Sequence, residues 1–122
     1  MASIFQQQIE KAAVLVEALP YLQHFRGQTF LIKVGGSAMD DPELVRRLLR
    51  DVVFMEVAGI NPVLVHGGGK AISAAMKNSG LPAEFIGGLR VTTDETMEIV
   101  EKTLSREINP GLVKGIESFG GR

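Results

Sequence analysis

The chain has 122 residues, of which 45% are hydrophobic and 22% charged, with 13 basic and 14 acidic side chains and a formal net charge of -1. A chain of this length buries roughly 65% of its unfolded surface, so one modest domain with a real core is expected. The charge balance argues against a basic nucleic-acid surface, the lack of cysteine excludes disulfides and thiolate metal sites, and the apolar runs are too short to cross a bilayer. The N-terminus shows no basic region followed by an apolar one, so no signal peptide is expected and the predicted location is cytoplasmic.

The first predicted element is a helix from Ile4 to Phe25. Its apolar residues recur at the spacing of one helix face: Ile9, Ala12, Ala13, Val16 and Leu19. Pro20 is expected to kink or break the helix. Because this helix precedes the first strand, it is not a crossover of the sheet. Two partners stay open for it: its own domain, or the same helix of another subunit.

The stretch from Thr29 to Val34 has the residue types of a buried strand, but it contains Lys33. A buried ammonium group needs a polar site, and the carboxyl edge of an open α/β sheet, where ligands bind, can supply one. Gly35 and Gly36 follow, and bare backbone amides beside a cation suit a phosphate. The alternative is an edge-strand lysine with a Gly-Gly turn, and this stretch alone does not decide between the two.

The next predicted helix has Asp41 as its N-cap and Pro42 at its first helical position, and Gly59 is expected to close it. Its predicted buried stripe consists of Val45, Leu48, Leu49, Val52 and Val53. A second short buried strand, from Pro62 to His66, comes next. Strand, helix and strand in this order predict a right-handed parallel βαβ unit and therefore an α/β fold.

Three glycines, Gly67, Gly68 and Gly69, follow the second strand and open a helix predicted from Lys70 to about Asn78, which Gly80 closes. A helix that starts with free N–H groups attracts anions. Since the carboxyl ends of parallel strands share one edge, both glycine turns are expected at the same edge of the sheet. Their joint placement favours a ligand site there.

The last part of the chain is predicted to be irregular from Leu81 to Val91 and then helical. The helix begins at Thr92, with Glu95 three residues on as a capping box and Asp94 in the first turn. Pro110 and Gly111 are expected to interrupt it. Its predicted buried stripe consists of Met97, Val100, Leu104 and Ile108.

The glycine triplet matches none of the common glycine motifs. The chain has no Walker A spacing, and Ile72 stands where the dinucleotide fingerprint needs its third glycine. His-Gly-Gly-Gly also occurs in esterases, but the segment around Ser37 lacks the last glycine of the nucleophile elbow that those enzymes need.

Two polar side chains, those of His66 and Arg90, leave alternatives open. His66 is either a ligand or base, or a strand-end histidine whose ring is held by hydrogen bonds, which is the favoured interpretation. No second histidine or carboxylate lies at metal-ligand spacing, so a metal held only by protein side chains is not expected. Arg90 is either solvated on its loop or, near an anion site, a bidentate carboxylate clamp.

Three segments together resemble the N-terminal half of the N-acetylglutamate kinases, a branch of the amino acid kinase family, and the resemblance runs from about Ile4 to Arg122. The segments are Leu31-Ile32-Lys33-Val34-Gly35-Gly36, then Val63-Leu64-Val65-His66-Gly67-Gly68-Gly69, then Gly88-Leu89-Arg90-Val91-Thr92. The resemblance implies a three-layer αβα sandwich with a mainly parallel sheet. It also implies ATP-dependent phosphorylation of the side-chain carboxylate of N-acetyl-L-glutamate, an early step of arginine biosynthesis, with Mg²⁺ carried by the nucleotide.

The same resemblance implies roles for six residues. Lys33 is implied to be catalytic, neutralising the transferred phosphoryl group, and Lys33, Gly35 and Gly36 are implied to lie on the phosphate side. Gly68 and Gly69 are implied to offer backbone N–H groups near the substrate, and Arg90 to clamp its α-carboxylate. The nucleophile is already an anion, so positioning and charge stabilisation suffice for the transfer.

The predicted organisation follows from the resemblance. Residues 1–26 are expected to form an N-terminal helix that serves as an oligomerisation arm, giving a dimer or hexamer, with arginine as an inhibitor. Residues 27–122 are expected to form the substrate-binding lobe, and the family's C-terminal nucleotide-binding half is not in this chain, so a fragment with incomplete catalysis is expected. No nucleic-acid or membrane partner is expected.

Two alternatives stay open beside this function. One is another amino acid kinase that acts on a different acid. The other is a non-catalytic module that binds acyl amino acids or mediates oligomerisation.

Overall fold

The computed structural model describes residues 3–122. Its helices are α1 (Ile4–Phe25), α2 (Pro42–Val57), α3 (Gly69–Asn78), α4 (Asp94–Glu101) and α5 (Asn109–Ser118), and its strands are β1 (Thr29–Val34), β2 (Asn61–His66), β3 (Phe85–Ile86) and β4 (Leu89–Arg90). A 3₁₀ turn (Gly36–Met39) follows β1, and a π-helical segment (Lys102–Ile108) joins α4 to α5. No helix within residues 3–122 is long and apolar enough to cross a membrane.

Strands β1 and β2 form a parallel pair in which Leu31 lies opposite Val63 and Lys33 opposite Val65. Helix α2 connects them, packs on β2 and contacts α5, while α3 packs against α4 and the π-helical segment. The short strands β3 and β4 form a separate antiparallel hairpin. The predicted α/β class with a parallel sheet is confirmed, and the arrangement is consistent with a three-layer αβα sandwich whose sheet has two strands in the described region.

The prediction that β1 and β2 are fully buried is wrong for one face of the sheet. Exposure alternates along both strands, and Val34 is the one buried residue of β1. The exposed face carries Leu31 at 72% exposure, Val63 at 46% and Val65 at 44%, together with Lys33. Side chains alternate between faces with a period of two, and within residues 3–122 the helices cover the Val34 face.

The core lies between α2, β2, α3 and α5, and its buried apolar residues are Val34, Leu49, Val52, Val53, Ile60, Ile72, Met76 and Leu112. The stripe predicted for α2 contributes its last three members, Leu49, Val52 and Val53, and Val45 and Leu48 are half-buried. The predicted cap is also confirmed. The Asp41 side chain accepts hydrogen bonds from the N–H groups of Glu43 at 2.9 Å and Leu44 at 3.3 Å.

Helix α1 is continuous, so the predicted break at Pro20 does not occur. The helix runs for 22 residues with Pro20 inside it, although a proline cannot donate the usual backbone hydrogen bond. None of its residues is buried, and apolar side chains such as Phe5, Leu15 and Val16 are 69–75% exposed. Within residues 3–122, helix α1 therefore does not bury an apolar face against its own domain.

The start of α4 is predicted one residue too early. Its N-cap is Thr93, and the capping box pairs Thr93 with Thr96. The hydroxyl oxygen of each threonine accepts a hydrogen bond from the backbone N–H of the other. Asp94 lies in the first turn as predicted.

The predicted interruption at Pro110 is also wrong, because the chain stays helical from Asp94 to Ser118. The π-helical segment accommodates the proline: the N–H of Asn109 bonds to the carbonyl of Leu104, five residues back. The wider turn shifts the carbonyl that the proline ring would otherwise meet. The predicted stripe is also wrong at one position, since Met97 is 54% exposed, and the buried residues of this region include Thr96 and Thr103.

Candidate functional site

The two glycine turns meet at the carboxyl edge of the β1–β2 pair, as predicted. The N–H of Gly67 donates to the carbonyl of Val34 at 2.9 Å. A methyl group added to Gly35 would lie 3.9 Å from the Cα of Gly67. The backbones of the two turns are therefore neighbours, which brings the residues that follow them, Gly36 and Gly68, to one place.

A cavity of about 830 Å³ opens at this edge, and Gly36, Gly68, Gly69 and Arg90 all line it. Its walls also include both charged and apolar side chains, among them Asp40, Lys70, Ser73, Phe85, Glu107, Met39, Val45, Ile108 and Leu112. The volume falls in the range of small-molecule sites, in which a largely apolar wall carries a few polar groups that orient the ligand.

The turn into α3 leaves the helix start accessible. No side chain caps α3 at Gly68, so the first N–H groups of the helix remain for a ligand or water. Gly68 is also packed tightly: a Cβ there would lie 2.6 Å from Cδ1 of Ile108 and 2.8 Å from Cδ2 of Leu104. Close packing, rather than a left-handed backbone, favours glycine at this position, because its φ of 177° is extended.

Arg90 is held at the rim of the cavity, so the solvated alternative is not the one that the structure shows. Its Nη2 donates to the carbonyl of Gly69 at 3.1 Å and to Oγ of Ser73 at 2.8 Å, and its Nη1 donates to Sδ of Met76 at 3.2 Å. The guanidinium carbon lies 4.7 Å from the centre of the Phe85 ring. The hairpin β3–β4 and helix α3 thus fix one cation beside the glycine turn.

Lys33 lies apart from this group. It projects on the exposed face of the β1–β2 pair beside Leu31, and it does not line the cavity. Gly35 lies beside Gly67, and neither of these two residues lines the cavity. The structure thus brings together four of the six predicted residues: Gly36, Gly68, Gly69 and Arg90. Lys33 is not among them because side chains alternate along β1, which places Lys33 on the exposed face of the sheet.

His66 has the environment of a histidine held in place. Its Nδ1 lies 3.0 Å from the carbonyl of Gly67, and its Nε2 lies 3.4 Å from Nδ2 of Asn109. Within residues 3–122, no group of three or more histidine, cysteine or carboxylate side chains is arranged to hold a metal ion.

Three groups at the cavity were not predicted from the sequence. Ser73 and Phe85 contact Arg90, and an ion pair joins Lys70 at the start of α3 to Asp40 at the end of the 3₁₀ turn. The only available signal was spacing: Ser73 lies one helical turn after Gly69, so both face the same side of α3. Phe85 lies directly opposite Arg90 in the β3–β4 hairpin, a local pairing that was not identified from the sequence. Asp40 and Lys70 are 30 residues apart, and no local pattern indicates their contact.

Comparison with known proteins gives consistent results. The amino acid kinase family model matches residues 28–118. The chain is 61% identical over all its 122 residues to an acetylglutamate kinase of Akkermansia muciniphila, and 51% identical over 113 residues to one of Aquifex aeolicus. It covers 41% and 38% of those proteins, so it spans about two fifths of the length of the curated relatives it matches.

The fold comparison agrees with the family match. An N-acetylglutamate synthase from Neisseria gonorrhoeae, solved with coenzyme A and N-acetyl-glutamate, superposes with a TM-score of 0.66 at 22% identity, over 88% of this chain and 24% of that one. At this identity the likeness supports the fold alone.

Proposed function

Because this chain belongs to the amino acid kinase family, we propose that it forms the substrate-binding part of a kinase. This kinase transfers the γ-phosphoryl group of ATP to the side-chain carboxylate of N-acetyl-L-glutamate. The names of the relatives support the reaction and the substrate. The observation that carries the proposal to this chain is the position of Arg90, a fixed cation beside a glycine turn at the mouth of a cavity.

The proposed binding mode uses both ends of a dicarboxylate. The guanidinium of Arg90 holds the α-carboxylate, and the N–H groups of Gly68 and Gly69 face the carboxylate that reacts. The reacting oxygen attacks the γ-phosphorus of ATP in line, forming an acyl phosphate and releasing ADP. Because this oxygen is already negatively charged, no general base is needed.

The phosphate side is proposed to involve Gly36 and Gly35, with Lys33 as the catalytic residue that neutralises the charge on the transferred group. Gly36 supports this assignment because it lines the same cavity as Gly68. Lys33 is exposed and lies near the carboxyl end of β1, two residues before Gly35, which supports a role toward a phosphoryl group at that edge of the sheet. Magnesium is proposed to arrive with ATP, bound to the phosphates of the nucleotide.

A further part of the proposal is that, within residues 1–26, helix α1 forms an oligomerisation arm and that residues 27–122 form the substrate-binding lobe, with arginine as an inhibitor. The exposed apolar side chains of α1 support an arm that pairs with the same helix of another subunit. A protein that starts at Arg26 should contain fewer subunits per particle, measured as the light-scattering mass divided by the mass of its chain. An unchanged number of subunits would reject the arm.

The test is calorimetric binding of N-acetyl-L-glutamate, with L-glutamate and L-aspartate as controls. Arg90→Ala should weaken binding by about 10- to 100-fold, since a charge-assisted hydrogen bond contributes about 1.5–3 kcal/mol. Arg50→Ala is the matched control, because Arg50 is 60% exposed and pairs only with its neighbour Asp51 among the described contacts.

The outcomes separate the alternatives. Selective binding that Arg90→Ala removes supports the proposed substrate. A preference for another acid indicates a different amino acid kinase. Binding without any phosphoryl transfer from ATP by the protein indicates a non-catalytic module, and an affinity that Arg90→Ala leaves unchanged rejects the clamp.

A further inference from the structure

Ser73 makes two hydrogen bonds that meet at the site. Its hydroxyl donates to the carbonyl of Gly69 at 2.9 Å, and its oxygen accepts from Nη2 of Arg90 at 2.8 Å. Because its single proton is committed to Gly69, the oxygen presents a lone pair to the guanidinium. The Gly69 carbonyl accepts from Arg90 as well, at 3.1 Å, so serine, glycine and arginine form a closed triangle.

The ring of Phe85 supports the same guanidinium from another element. It lies 4.7 Å from the guanidinium carbon, on the hairpin that also carries Arg90. The ring is 55% exposed, so burial in the core does not explain its place. A cation positioned over an aromatic face is attracted to it, and a planar guanidinium is well suited to such stacking.

These contacts leave part of the guanidinium for a ligand. Of its five N–H groups, two on Nη2 and one on Nη1 are directed to protein atoms within the described part of the chain. The N–H of Nε and the second N–H of Nη1 remain. An arginine already held in one orientation binds a carboxylate without losing much side-chain freedom.

We propose that Ser73 and Phe85 are positioning residues that hold Arg90 in its carboxylate-binding orientation before the substrate arrives. The inference rests on the proposed function, since it deepens the role of Arg90 in that site. Ser73 acts on the arginine and not on the reacting atoms. Its loss should therefore affect substrate affinity and leave the rate of phosphoryl transfer at saturation nearly unchanged.

The first experiment measures binding of N-acetyl-L-glutamate to Ser73→Ala, Ser73→Thr and the control Ser105→Ala. Ser73→Ala should raise Kd about tenfold, Ser73→Thr should restore most of the affinity because it keeps the hydroxyl, and Ser105→Ala should bind as the unsubstituted protein does. Phe85→Leu should also raise Kd, while Ile86→Ala, which removes a 74% exposed neighbour, should not. KM should rise in Ser73→Ala with kcat within about twofold.

The second experiment needs no ligand. The resonance of the Nη2–H groups of Arg90, which bond to Gly69 and Ser73, should be sharp and slow to exchange with water in the unsubstituted protein, and its loss in Arg90→Lys assigns it. In Ser73→Ala it should broaden or exchange faster, whereas thermal unfolding should match that of Ser105→Ala.

The results distinguish this inference from the proposed function. If the unsubstituted protein does not bind N-acetyl-L-glutamate, or if Arg90→Ala binds it normally, the proposed function fails. If Arg90→Ala weakens binding but Ser73→Ala does not, the positioning role is overturned. An Arg90 resonance that is the same in Ser73→Ala overturns it as well, whatever the ligand.

Discussion

Replacement of Gly68 by alanine tests the close packing at the turn into α3. The added Cβ would lie 2.6 Å from Cδ1 of Ile108 and 2.8 Å from Cδ2 of Leu104, where carbon atoms normally approach to about 3.5–4.0 Å. Roughly 1 Å of overlap must therefore be relieved. Both atoms are ends of side chains that can rotate, so we expect the lower part of the overpacking range, about 1–2 kcal/mol of destabilisation.

Two smaller effects also contribute to the change in the free energy of unfolding expected for Gly68→Ala. The extended φ of 177° at Gly68 suits alanine, so no backbone strain is added. Alanine also reduces the freedom of the unfolded chain, which returns about 0.4–1 kcal/mol. The net loss expected for Gly68→Ala is then about 1 kcal/mol. Gly69→Ala is the matched control: its Cβ would meet nothing within 4 Å, and at the first position of α3 it should stabilise by about 0.5 kcal/mol.

The assay is urea unfolding of both variants, followed by circular dichroism. The two should differ in free energy of unfolding by about 1.5 kcal/mol, with Gly69→Ala the more stable. Ile108→Val removes the atom that would overlap most, so it should cost less in the Gly68→Ala background than alone. The packing argument is refuted if Gly68→Ala is as stable as Gly69→Ala, or if the effects of Gly68→Ala and Ile108→Val simply add.

Three further predictions concern the core, a helix cap and the proposed catalytic residue. Leu49→Ala should destabilise by about 3 kcal/mol in urea unfolding, because the side chain is 3% exposed, while Leu44→Ala, at 49% exposure, should change stability by under about 1 kcal/mol. Asp41→Ala should cost about 1 kcal/mol by loss of the α2 cap and Asp41→Asn almost nothing; equal losses would argue against the cap. Lys33→Ala should leave stability unchanged because the residue is exposed, and should lower kcat with ATP far more than it raises KM for N-acetyl-L-glutamate. Equal effects on kcat and KM would contradict the proposed role of Lys33.

Local patterns in the sequence are sufficient to predict the secondary structure around the site. The Asp41 cap with Pro42 sets the start of α2, and the paired glycine turns mark the carboxyl ends of two parallel strands. These signals act within a few residues, through capping hydrogen bonds and backbone conformation, so they can be recognised without knowledge of the tertiary structure. The common edge of the two turns then follows from the parallel order of the strands.

Long-range contacts decided the rest. The covered face of β1 depends on where α2 packs, so the exposure of Lys33 could not be read from an apolar run that looks the same on both faces. The amphipathic pattern of α1 likewise predicts an apolar face, but not that this face remains unpacked in the described chain.

The environment of Arg90 shows the same limit at the level of one side chain. A loop arginine is usually solvated, and here Ser73 and Phe85, from α3 and the hairpin, hold it instead. Phe85 lies 5 residues and Ser73 17 residues before Arg90, with no periodic pattern that links the three. Pairing of β3 with β4 places Phe85 opposite Arg90, whereas only the tertiary position of α3 beside the hairpin brings Ser73 within hydrogen-bonding distance, because that contact depends on side-chain direction in space and not on order along the chain.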